Sequence, residues 1–194
     1  MKKLIFMRHG YLEGKYRDYS KLHFKDFENL LLKKVAPPVD KNITKKELLS
    51  KGFLPDVSFV ICSSENRSIE TAQIVKDITR VDFEVSSLLD EINFTNGIIK
   101  KEDVSDFNKL RKTILTKFFH SDCSENFETV KKRFLDFLNY VRNLDHNLIL
   151  CVTHGWFMRL IYIYSVKGSL EGVLLEELLE ARVPSFLETA EVSL

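Results

Sequence analysis

Cysteine is scarce in this 194-residue chain. Cys62, Cys123 and Cys151 form an odd, widely spaced set with no CxxC or Cys/His ligand pattern, which fits reduced thiols and argues against structural zinc. Charge bias is also missing: 29 basic residues stand against 28 acidic ones, so nothing in the balance points to nucleic acid or an anionic membrane surface. No apolar run approaches the length of a membrane span, and a 29% charged fraction excludes a membrane protein. The opening Met1-Lys2-Lys3-Leu4-Ile5-Phe6-Met7 imitates a signal peptide, but its apolar run stops at Arg8, too short for an h-region. No repeat, low-complexity tract or domain linker is visible. The chain therefore reads as cytosolic, residues 1–194 forming one domain with at most an elaborated lid.

What is present is an alternation of short continuous apolar runs and helical stripes. Lys3 to Met7, Val57 to Cys62 and Leu148 to Thr153 read as buried strands, and Phe83-Glu84-Val85 as a weaker one. Between them, Arg67 to Ile78 and Phe127 to Leu144 have helical spacing, with Ser63 or Ser64 and then Ser124 placed as caps. Phe107, Leu110, Ile114, Leu115 and Phe118 form another stripe, and Trp156 to Ser165 begins a helix. From Glu176 the tail reads as a helix and, after Pro184, an extended end. This order predicts an α/β fold, a three-layer α/β/α sandwich around a mostly parallel sheet. Residues 11–45 differ in kind: tyrosines interleaved with charges lead into a short stripe (Phe24, Phe27, Leu30, Leu31) and Pro37-Pro38. They read as an excursion over a site.

Two strands end in the same dipeptide, Arg8-His9-Gly10 and His154-Gly155. Strand ends in α/β proteins converge on a ligand crevice, so both imidazoles are expected to face one small site. Arg8 and Arg67 supply guanidinium forks for peripheral oxygens of a phosphoryl group, and a neutral imidazole at His9 can attack phosphorus. Singly, each residue has a plainer reading. An arginine can cap a helix or pair with a surface carboxylate, and His154 can be a core histidine. His23, His120 and His146 lie in polar contexts and read as surface residues.

Taken in order, the segments resemble the histidine phosphatase superfamily, the phosphoglycerate mutase-like proteins. Leu4-Ile5-Phe6-Met7-Arg8-His9-Gly10 is similar to the family's signature strand and loop, and the run from Cys62 through Arg67 to Ala72 to its Ser-Ser-x-x-x-Arg-Ala-x-x-Thr-Ala segment. Leu89-Asp90-Glu91 resembles its acid loop, Glu125-Asn126 with Arg133 its Glu-Ser-x6-Arg helix start, and Val152-Thr153-His154-Gly155 with Arg159 its second histidine segment. The resemblance implies that His9 becomes a phosphohistidine, that His154 donates to a phosphoryl oxygen, and that Glu91 is the proton donor, with neighbouring Asp90 the rival for that role. It implies neither metal nor cofactor.

The departures concern substrate. Where the family has Glu or Gln, then Ser or Thr, and later Asn, this chain has Tyr11, Leu12 and Lys15. Lys15 either contacts phosphate or is an ordinary solvated lysine, and with Arg17 it is a candidate for binding anionic substrate as the excursion closes. Gly10 and Gly155 are expected at the site, and Trp156 either narrows the pocket, stacks on a substrate ring or packs in the core. The stretch Ile98 to Asn126 lacks the length and Arg-x-Tyr-Gly motif of the cofactor-dependent mutases. Hydrolysis of a small phosphorylated metabolite is the leading expectation. A mutase-type phosphotransferase, a phosphoprotein phosphatase and a non-catalytic phosphate- or phosphoprotein-binding module are the alternatives.

Overall fold

The computed structural model describes residues 2–94, 98, 107–121, 123–182 and 184–194. Its centre is a five-stranded sheet, built from β1 (Lys3–Arg8), β2 (Phe59–Cys62), β3 (Phe83–Val85), β4 (Leu148–Thr153) and β5 (Thr189–Ser193), in the order β3-β2-β4-β1-β5. All neighbours are parallel except β5, which runs antiparallel along β1. The continuous apolar runs are strands because both faces are covered. Leu4 and Phe6 point into one core with Ile149 and Cys151; Ile5 and Met7 point into the other with Leu150 and Val152.

Helices α2 (Lys41–Leu49) and α3 (Asn66–Thr79) cover the second face, where Leu48, Ala72 and Val75 meet the sheet. The first face carries α1 (Phe24–Leu31), α4 (Phe107–Phe119), α5 (Phe127–Arg142), α6 (Phe157–Lys167) and α7 (Leu175–Glu180). Its centre is an aromatic packing in which Phe134 lies 5.8 Å from Phe6, 6.0 Å from Phe157 and 5.2 Å from Tyr164 by ring centroids. The three-layer expectation is met, with seven helices among the described residues.

Several local expectations change. Ser124 is not the cap of α5: Asn126 is, its side chain accepting from Thr129 N at 2.9 Å. Ser63 and Ser64 do not cap α3, whose N-cap is Glu65 without a side-chain bond; their hydroxyls donate to Asp90 instead. The extended tail is a sheet strand, satisfying the edge of β1. The excursion is shorter than 11–45, because α2 begins at Lys41, capped by the Asp40 side chain, and a Leu12–Val39 bridge ties its two ends together. Part of the stretch from Ile98 to Asn126 lies outside the described residues, as does the side chain of Phe107.

If Asn126 holds the start of α5, Asn126→Ala will lower unfolding free energy by about 1 kcal/mol. Urea denaturation with an unchanged m-value is the check.

Candidate active site

The register of the parallel pair builds the site. Arg8 lies opposite Thr153, so the next residues, His9 and His154, emerge side by side, with His9 N bonded to Thr153 O at 2.9 Å and the rings 5.3 Å apart. Gly10 N then donates to Thr71 Oγ1 at 2.8 Å, and Thr71 Oγ1 to Arg67 O at 2.6 Å, which pins the first turn of α3 against the β1 loop. That loop has no room for a side chain: a Cβ on Gly10 would sit 2.5 Å from both Cγ2 and Oγ1 of buried Thr44. A Cβ on Gly155 would lie 3.4 Å from the Arg8 guanidinium carbon, an ordinary contact, so the Arg8 side chain runs alongside this glycine without requiring it.

Each histidine has a tautomer fixed by its partners. His9 Nδ1 meets Gly10 O at 3.0 Å; a carbonyl can only accept, so Nδ1 carries the proton and Nε2 keeps its lone pair. At His154, Arg67 Nε donates to Nδ1 at 3.0 Å, which puts the proton on Nε2, 2.7 Å from Ser63 Oγ. Ser63 Oγ in turn donates to Asp90 Oδ1 at 2.8 Å. Both nitrogens of His154 are thus engaged by protein groups, and direct donation to a phosphoryl oxygen would need a second proton at Nδ1. Burial, and then the guanidinium charges of Arg67 and Arg8, hold His9 well below the ordinary imidazole range. Burial and Arg67 do the same for His154.

Glu91, not Asp90, reaches the cavity. Asp90 is consumed by Ser63, Ser64 N and Ser64 Oγ. Glu91 lies at the start of α6, Oε1 accepting from Phe157 N at 2.9 Å and Ile92 N at 3.0 Å, and Oε2 from Trp156 N at 3.1 Å. Those donors favour the carboxylate, yet burial, followed by the charge of Glu65, outweighs them and raises the pKa of Glu91. Glu65 is an organising carboxylate: it pairs with Arg67 Nη2 at 2.5 Å and Lys33 Nζ at 3.0 Å, and accepts from Glu91 N at 3.1 Å. The acid loop is held from behind by Arg133, which pairs with Glu125 and donates to Asp90 O at 2.7 Å and Leu88 O at 3.1 Å.

The cavity is lined by Arg8, His9, Arg67, Glu91, Gly155 and Trp156 among the expected residues; Gly10 and buried His154 are not on its wall. Half-buried Trp156 both walls the cavity and packs edge-on to Phe94 at 5.5 Å. The structure does not bring Lys15, Arg17 or Tyr11 to its wall. Lys15 pairs with Asp26 at 2.7 Å and Arg17 with Asp40, charges within or at the edge of the excursion, and Tyr11 packs at a tilt against Phe186, ring centroids 5.2 Å apart. The excursion contributes Tyr19, Phe27, Leu30, Leu31 and Lys33 instead. Lys33 sits at φ 55° just past α1 and reaches Glu91 O at 2.8 Å. Sequence reasoning also passed over Phe186, whose ring lies 4.3 Å from the Arg8 guanidinium carbon and 5.6 Å from His9.

The histidine phosphatase superfamily (branch 1) family model matches residues 47–183, a span that includes Arg67, Glu91 and His154 and begins after Arg8-His9. No curated protein matches the chain in sequence. Among solved structures, a mycobacterial glucosyl-3-phosphoglycerate phosphatase complexed with VO3 is similar over 100% of this chain and 93% of that one, with TM-score 0.71 and 14% identity. A phosphoserine phosphatase from Entamoeba histolytica in complex with 3-phosphoglyceric acid covers 98% and 90%, with TM-score 0.63 and 17% identity. A putative alpha-ribazole-5'-P phosphatase from Escherichia coli covers 91% and 83%, with TM-score 0.58 and 17% identity.

The packing around Gly10 gives a direct test. Gly10→Ala will destabilise the fold by about 1–3 kcal/mol, because Thr44 must move to admit the methyl group. Chemical denaturation of the variant measures this.

Proposed function

This chain belongs to the histidine phosphatase superfamily, and we propose that it is a phosphomonoesterase that works through a phosphohistidine at His9 on a small phosphorylated metabolite. The observation that carries this reading is the state of His9: Nδ1–H is fixed on Gly10 O, so Nε2 keeps its lone pair beside Arg8 and Arg67. Nε2 attacks phosphorus, the phosphorus–oxygen ester bond breaks, and Glu91 gives its proton to the departing alkoxide. Glu91, now a carboxylate, then takes a proton from water; the water oxygen attacks phosphorus, the phosphorus–nitrogen bond breaks, and inorganic phosphate leaves.

Both groups are shifted in the direction this sequence needs. Burial favours neutral His9, and burial with the Glu65 charge favours the protonated form of Glu91. Arg8 and Arg67 neutralise the phosphoryl oxygens, so charge stabilisation comes from guanidinium groups and the reading calls on no metal. His154 is a positioning residue, orienting Arg67 through Nδ1. The excursion walls the cavity with α1 and Tyr19, which suits a small substrate better than a protein surface. The structural relatives named above are phosphatases of small phosphorylated metabolites, which supports the same class here.

Hydrolysis of p-nitrophenyl phosphate in EDTA tests the reaction. Turnover is expected in the wild type, and His9→Ala is expected to lower it by roughly 10³-fold or more. An undiminished rate in His9→Ala would overturn the mechanism.

The pH dependence has a defined sign. The value of kcat/KM falls on the acid side as His9 gains a proton, at a pH below the ordinary imidazole range. It falls on the basic side as Glu91 loses its proton, at a pH above the ordinary carboxyl range. Glu65→Gln removes the negative charge that helps keep Glu91 protonated, so the basic limb will move to lower pH. A pH–rate profile of the two proteins reads this shift.

A further inference from the structure

The two arginines assigned to the phosphoryl group are held in different ways. Arg67 is partly neutralised, pairing with Glu65 at 2.5 Å and donating to His154 Nδ1 at 3.0 Å. Arg8 is 7% exposed and has no carboxylate partner among the described residues. Its acceptor among those residues is Pro184 O, which takes Nη1 at 2.6 Å, while its buried Nε is unbonded. A cation withdrawn from water needs compensation. Here rings supply it. The guanidinium carbon lies 4.3 Å from the Phe186 centroid and 5.1 Å from that of Tyr19. Those rings meet at 83° with centroids 5.7 Å apart, so the guanidinium sits in the corner between them.

Phe186 is itself fixed from several sides. Tyr11 packs against it at 5.2 Å and His9 at 5.6 Å. The loop that carries it is tied to the end of β1: Arg8 N donates to Glu188 O at 3.0 Å and Leu187 N to His9 O at 3.4 Å. The Glu188 carboxylate gathers the same loop, accepting from Ser185 N at 2.7 Å and Tyr162 Oη at 2.9 Å and pairing with Arg182 Nε at 2.7 Å. Buried Leu187 stands at φ 56°, a left-handed conformation that a non-glycine residue keeps only where its surroundings impose it. The loop is over-determined, and it places one carbonyl and one ring on Arg8.

A ring face and a carboxylate restrain a guanidinium differently. A carboxylate would pair with Arg8 and cancel charge that the phosphoryl oxygens need. A π face attracts the cation without carrying net charge, so the group is restrained and its charge stays available.

We propose that Phe186, supported by Tyr19, is a positioning residue that holds the Arg8 guanidinium in place for a phosphoryl group while leaving its charge unspent. The role rests on the phosphatase reading for its reaction, but not for anion binding. It gives the loop before β5 a part in the chemistry, because that loop delivers the ring to the residue next to His9.

Calorimetric binding of inorganic phosphate and hydrolysis of p-nitrophenyl phosphate test it together. Phe186→Leu keeps an apolar side chain and removes the π face; it is expected to weaken phosphate binding and lower kcat/KM by roughly tenfold. Phe186→Tyr restores the face and is expected to stay within about twofold of wild type. The effect must pass through the guanidinium, so in an Arg8→Ala background Phe186→Leu is expected to change kcat/KM by no more than about twofold. Near-ultraviolet circular dichroism checks that each variant is folded. If Phe186→Leu is not, Tyr19→Leu carries the same cycle, with an expected loss of roughly threefold. Undiminished affinity and kcat/KM in the folded variant, or a loss that persists in Arg8→Ala, overturns the proposal; the ring would then be apolar cover or act through His9. Weaker phosphate binding in Phe186→Leu, recovered in Phe186→Tyr, with no hydrolysis by wild type would leave the clamp standing and reject the phosphatase. Hydrolysis that depends on His9 but not on Phe186 would do the reverse.

Discussion

The parallel pairing of β1 with β4 is the constraint on which the site depends. Its register puts Arg8 against Thr153, and everything chemical follows within one or two residues of that line. A one-residue slip would reverse which side chains enter which core, exchanging the Leu4 and Phe6 face for that of Ile5 and Met7. The two apolar faces therefore enforce the register, and the register delivers two imidazoles to one point. Bringing the two imidazoles together orders no flexible loop, because the histidines directly follow β1 and β4, neighbouring inner strands of the sheet.

Around that point the charges are arranged as a chain rather than as isolated pairs. Arg67 donates to His154, His154 to Ser63, and Ser63 to Asp90, while Glu65 links Arg67 to Lys33 and to the backbone of Glu91. The two carboxylates of the acid loop consequently have different fates. Asp90 is fully occupied in holding serines, whereas Glu91 meets helix-start amides, a burial penalty and a nearby negative charge that together favour the acid form. Adjacent residues of the same chemistry are separated by environment alone.

Much of this was legible from strand ends and motif order. Arg8, His9, Arg67 and Glu91 line the cavity with Trp156 and Gly155, whereas His154 is buried off its wall and meets it only through Arg67. What escaped was set by contacts between residues far apart in the chain. Composition marks Lys15 and Arg17 as cations but not that Asp26 and Asp40 would take them. Phe186 and Tyr19 reach Arg8 from opposite ends of the sequence, with no periodicity to announce it. Two signals were available. Asp40 just after Pro37-Pro38 is a helix cap, and it marks α2, whose buried residues are only Thr44 and Leu48. Arg159 amid Phe157, Met158, Leu160 and Ile161 is an arginine in an apolar run, the pattern of a buried charge. From sequence β5 reads only as an extended end, because Ala190 and Val192 alternate with polar residues over just five positions.

The Leu12–Val39 bridge has a consequence for how such a molecule can vary. By closing the excursion at its base, it isolates the segment between those residues from the sheet register above which it lies. Lengthening a closed loop raises its closure entropy only logarithmically, so insertions there disturb folding little. The side chains that segment contributes line the cavity and reach the acid loop, and Tyr19 also covers Arg8 at the end of β1. Much of the cavity wall is thus supplied by a segment outside the sheet, while the two histidines are supplied by the sheet itself.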